Sequence, residues 1–156
     1  MDPLASIKAF VRDRVEPRRG TTLGATEAEV AAFERMLGKP VPAAYRSYLL
    51  WMGQDVQGVL RGSDCFLSHV VDNNAYLPEL LAENEVTFHL PASFVCFFMH
   101  QGYIAAWFDL DSADDDPPCW VFAEGSTPQP KLDGTFASFI SGQIRGIAES
   151  WLTRCS

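Results

Sequence analysis

The residues best equipped for chemistry in this chain are two groups of carboxylates. Asp109, Asp111, Asp114, Asp115 and Asp116 place five acids within eight residues, and Glu79, Glu83 and Glu85 form a second, looser group. Calcium binding, acid–base hydrolysis and attraction of a cationic partner are the three chemistries such groups support. An EF-hand calcium loop needs Gly at its sixth position and Glu at its twelfth. Counted from Asp109, those positions hold Asp114 and Trp120, so the pattern fails. Acid–base hydrolysis needs two carboxyl groups in unlike environments that separate their pKa values. An aspartate run leading into Pro117 and Pro118 predicts uniform hydration instead. Two readings remain: a merely solvated hairpin loop, or clustered like charge that steers a basic macromolecule and quickens its association.

The other reactive side chains add no chemistry. The sequence lacks the glycine-rich phosphate loops, the HExxH zinc pair and the GxSxG serine elbow. His69, His89 and His100, with Cys65, Cys96, Cys119 and Cys155, do not have the close spacing of a zinc site. Cys96 lies in an apolar run and Cys119 opens another, which predicts buried free thiols. The reading is a protein with no metal, no cofactor and no catalytic residue, not an enzyme.

Composition narrows the partner. The chain has 156 residues, 47% of them hydrophobic, and a formal net charge of -8. That is enough for one domain with its own core. Surplus negative charge repels phosphate backbones and anionic lipid, so neither nucleic acid nor membrane is an expected partner, whereas a protein with a basic surface is. The first residues show no long apolar leader and no window approaches ~18 apolar residues, which points to a cytoplasmic protein.

The positioning elements follow from periodicity. Leu4, Ile7, Phe10 and Val11 predict a helix from Pro3 to Val15, broken by Glu16–Gly20, whose arginines read as a solvated linker. Thr26 with Glu29 is a capping box; Val30, Phe33, Met36 and Leu37 form the stripe behind it, and Gly38 ends the helix. Pro42 opens a further helix bearing Tyr45, Tyr48, Leu49 and Met52, which packs on the preceding one as a hairpin. Val56–Leu60 is expected to be a short strand. The second half of Ser68–Glu83 reads as helix, interrupted near Asn73 and Asn74. Phe94–Met99, Tyr103–Phe108 and Trp120–Phe122 are strands, the first two joined at Gln101-Gly102. Glu124–Gly134 reads as an exposed loop. Thr135 caps a last helix whose apolar side is Phe136, Phe139, Ile140, Ile144, Ile147 and Trp151, laid across the sheet. The fold class is α+β: a single domain over residues 1–156, an antiparallel meander flanked by N-terminal helices and a C-terminal helix.

The order of these pieces resembles the SMI1/KNR4 (SUKH) superfamily over roughly residues 22–145. The resemblance rests on Thr26-Glu27-Ala28-Glu29-Val30, the Leu37-Gly38 break, Val41-Pro42 and the helix Tyr45-Arg46 to Tyr48-Leu49-Leu50-Trp51-Met52-Gly53. An aromatic strand ending in Asp109, an acidic loop and a closing Thr-Phe-x-x-Phe-Ile helix continue it. Met52-Gly53 stands where the family shows an Asn-Gly-like turn, and His100-Gln101-Gly102 where it often has Gly-Gly or Asp-Gly. The resemblance implies a binding role: bacterial members are immunity proteins that block a cognate toxin, frequently a nuclease, and fungal members are regulatory scaffolds. On that view the acidic residues meet a basic toxin surface. Trp51, Tyr103 and Trp107 are candidate aromatic anchors, with core packing as the competing role for Trp51 and Trp107.

Overall fold

The computed structural model describes residues 1–154, so Cys155 lies outside the described residues. The first helical stretch does not stop at residue 15. Helix α1 (Ala5–Phe10) runs into a π-helical turn, Val11–Val15, and then into α2 (Glu16–Arg19), ending at Gly20. Pro17 has no N–H to donate. The widened π-turn comes immediately before it, so the chain keeps its helical course where a break was expected. Arg18 and Arg19 are exposed, as expected, but they sit on a helix and not in a linker. The Arg19 guanidinium lies 3.6 Å from the centre of the Trp151 ring, and that of Arg145 lies 4.5 Å from the Phe10 ring.

Helix α3 (Glu27–Leu37) starts on the expected capping box. Thr26 Oγ1 accepts from the Glu29 amide at 3.1 Å, and Glu29 Oε1 accepts from the Thr26 amide at 3.0 Å. It closes on Gly38 in the left-handed conformation. Val30 and Phe33 face the core, but Met36 is 56% exposed. At ~100° per residue, Met36 falls about 90° from the mean direction of Val30, Phe33 and Leu37. Helix α4 (Ala43–Met52) takes Pro42 as its N-cap rather than its first residue, and it buries Tyr45, Tyr48, Leu49 and Met52. The two helices pack together through Phe33 and Tyr45, and Glu34 accepts from both the Val41 amide and Arg46.

No strand forms at Val56–Leu60, where the backbone makes successive turns. The sheet begins instead with β1 (Ser63–Asp64). It continues through β2 (Phe94–His100), β3 (Ile104–Asp109), β4 (Pro118–Ala123) and β5 (Lys131–Thr135), all antiparallel and in sequence order. Strand β5, inside the expected loop, is an edge strand with outward side chains, so no apolar alternation marks it. Helix α5 (Val70–Glu83) is continuous through Asn73 and Asn74. Their amides turn to the sheet instead of breaking the helix. Asn74 Oδ1 accepts from the Cys96 amide at 2.7 Å, and Asn73 Nδ2 donates to the Asp64 carbonyl at 2.8 Å.

Asn74 holds β2 beside its bulge, where the register shifts between Cys96 and Phe98. The extra residue puts neighbouring Phe97 and Phe98 on one face. Both pack on Phe139 of α6 (Phe136–Arg154), as expected for a helix laid across the sheet. That face, with Phe108, Phe136, Tyr45 and Tyr48, forms the larger core under α1, α3, α4 and α6. On the other face Cys96, Trp107 and Phe122 pack under Leu77, Leu80 and Leu81 of α5.

Candidate protein-interaction surface

The loop between β3 and β4 is a junction, and its charges are placed rather than loose. Asp116 Oδ1 accepts from the Ala137 amide at 2.9 Å, and the Pro117 carbonyl accepts from the Phe136 amide at 2.9 Å. Together with Thr135, whose Oγ1 accepts from the Ser138 amide at 3.3 Å, they satisfy the first amides of α6. The Asp115 carbonyl accepts from the Ala44 amide at 2.9 Å and so closes the start of α4. Asp109 Oδ1 accepts from the Asp111 amide, Ser112 donates to Asp114, and Asp111 pairs with Lys39 of the α3–α4 link. Two helix N-termini, each a partial positive charge, thus meet the run of aspartates. This explains how five acids coexist in eight residues. The side chains of Asp111, Asp114 and Asp115 are exposed, and those of Asp109 and Asp116 are half-buried.

Glu79, Glu83 and Glu85 are exposed but do not join that field. Asn84 lines a cavity with Phe122, Gly125 and Thr127, at the Ala123 end of β4. The aspartate loop enters β4 at its Pro118 end. Tyr103 stands at the glutamate end, 40% exposed, in the turn between β2 and β3, with its carbonyl accepting from the Glu124 amide. Trp51 is half-buried against the larger core, with Lys8 Nζ 5.8 Å above its ring. Lys8 is itself held by Asp2 and Ser47. Trp107 is fully buried in the smaller core, which leaves it no access to a partner. The structure therefore separates the predicted surface residues into three places.

The thiols of Cys65, Cys96 and Cys119 are buried and free, and burial pushes each up to about 12. None is a ready nucleophile at neutral pH. His100 Nδ1 lies 3.0 Å from Ser63 Oγ, and His69 Nδ1 accepts from the Phe66 amide. Among the described residues no three His, Cys, Asp or Glu side chains gather closely enough to hold a metal ion, and no helix is long and apolar enough to cross a membrane.

One residue escaped sequence reasoning. Asp55 lies between α4 and the turns at Val56–Leu60 where a strand was expected, and it is the only acid among the described residues that is buried. Asp at the first position of a turn and Gly at the fourth is a type I pattern, and Asp55 with Gly58 fits it. That pattern gives a turn; nothing local to it signals burial.

Residues 24–142 match the profile of the SMI1 / KNR4 family (SUKH-1). The chain belongs to the SMI1 / KNR4 family. The match spans α3 to the first third of α6, close to the stretch on which the resemblance was read. No curated protein matches the sequence. Members of the SMI1 / KNR4 family are generally non-enzymatic immunity or scaffold proteins, and the family in general suggests a protein partner.

Proposed function

We propose that this SMI1 / KNR4 protein is an immunity protein. It binds a cognate bacterial toxin domain, covers that toxin's active surface and transforms nothing itself. The observation that carries the reading is the rigid aspartate loop of a family member with a net charge of -8. Caps on α4 and α6 fix the loop, while Asp114 and Asp115 stay exposed. Charge held in one geometry needs little reordering on association, and it complements the cationic surface that a nuclease requires. The complex forms in the cytoplasm, with the loop steering the encounter and Tyr103 and the Glu79–Glu85 end available to a partner large enough to reach both ends of the sheet.

The test is co-expression with the toxin domain encoded beside it, followed by purification and a growth assay. The expected result is a one-to-one complex that restores growth and weakens as salt rises. Growth arrest that persists despite soluble protein, with no complex at low salt, would refute the reading.

A further inference from the structure

Asp55 is 8% exposed, and buried charges are ordinarily paired or neutralised. Its Oδ1 accepts from the Leu23 amide at 3.2 Å; Oδ2 has no hydrogen-bond partner among the described residues. A Cβ at position 58 would lie 1.8 Å from Oδ2, so the carboxylate occupies space that only Gly58 leaves open. Arg19 lines the same cavity, yet its guanidinium is stacked on Trp151 and forms no ion pair with Asp55. Burial, and then the proximity of Glu16, raise the Asp55 pKa above the ordinary carboxylate value.

The cavity measures about 160 Å³. Val11, Val15 and Val59 give it apolar walls, and Thr21 and Asp55 give it polar ones. Leu23 and Gln57, both exposed, also line it, and the Leu23 amide is the donor to the carboxylate. An apolar sleeve ending in an acid matches a long basic side chain, whose aliphatic stem and cationic head need those two surroundings.

We propose that this cavity is a cation subsite that takes one lysine or arginine side chain of the basic protein partner, with Leu23 and Val59 packing around its stem. The inference rests on the reading of this chain as a binder of a basic protein, and it locates the anchor apart from the aspartate loop.

Acetyl-argininamide titrated into the full chain at pH 7, followed by amide NMR, is the direct probe. Saturable shifts at Leu23, Asp55 and Gly58 are expected, and they should be lost in Asp55→Asn. Shifts confined to residues 109–116, or unchanged in the variant, would overturn the subsite. Gln57→Lys, an exposed change that places a like charge in the lining, guards against a variant that misfolds; it should weaken the probe at least fivefold, and an unaltered titration would count against the proposal. With the toxin domain, Asp55→Asn should speed dissociation about tenfold or more while leaving the on-rate unchanged. A complex indifferent to Asp55→Asn would remove the subsite and leave the immunity reading standing. A probe that binds at Asp55 in a chain that ignores the toxin would do the reverse.

Discussion

The aspartate loop and the turn carrying Asp55 lie at opposite ends of α4, and they treat negative charge in opposite ways. At the helix start, five acids are visible in the sequence, and hydrogen bonds to helix amides and Lys39 accommodate them. At the helix end, a single acid with no signal of its own is buried, and the arginine beside it is engaged elsewhere. A count of charges identified the first region. The second shows that an unanswered charge depends on which neighbours are already occupied.

Four measurements would break or sharpen this contrast. The largest effect is expected at Gly24, which passes against the end of α4. A Cβ there would sit 1.8 Å from the Leu50 carbonyl oxygen, a backbone atom that cannot step aside. Gly24→Ala should cost about 3 kcal/mol in urea unfolding; a loss under about 1 kcal/mol would mean the Asp55 end is pliable. Next, Asp116→Ala should cost about 1 kcal/mol as a lost helix cap, while Asp116→Asn, still able to accept, should cost much less. Equal losses would show that charge rather than capping matters at the loop.

The third effect is a pH dependence. The folded-state pKa of Asp55 is raised, so the folded chain holds that proton more tightly than the unfolded one. Its contribution is therefore most favourable below the ordinary carboxylate pKa and is lost as pH rises through the folded value. Asp55→Asn should be more stable than the parent at pH 7, with the gap closing as pH falls towards 4 in paired denaturation curves. A gap that widens on acidification would reverse the assignment. The smallest stability change belongs to Asp114→Asn with Asp115→Asn, within about 0.5 kcal/mol. The same pair should slow association with a basic partner and flatten its salt dependence, as stopped-flow mixing would show.

Local features were legible in the sequence because their causes are local. The Thr26–Glu29 box, the Gly38 stop and the Thr135 cap rest on contacts within about four residues, and the Tyr45–Met52 face and the three apolar strands show in the spacing of their own apolar side chains. Most of the features that were misread depend on distant partners. Asn73 and Asn74 look like breakers until the Asp64 carbonyl of β1 accepts from Asn73 and the Cys96 amide of β2 donates to Asn74. Pro17 looks like a stop until a π-turn precedes it. Strand β5 has no pattern because only one of its edges is paired. At the surface, the sequence showed the acids but not that α4 and α6 would claim two of them. Asp55 was invisible because its burial comes from Leu23, Gly58 and α2, which converge on it only in the fold.

The family match begins at residue 24 and ends at 142, yet the stretches on either side of it are not independent additions. Arg19 rests on Trp151, Arg145 rests on Phe10, and Ile7 and Val11 share a core with Ala148. Each stretch is the other's cover. Among relatives the two should therefore be inherited as a pair: a lineage that shortened one would leave the other with uncovered apolar side chains, and its length should shrink in step.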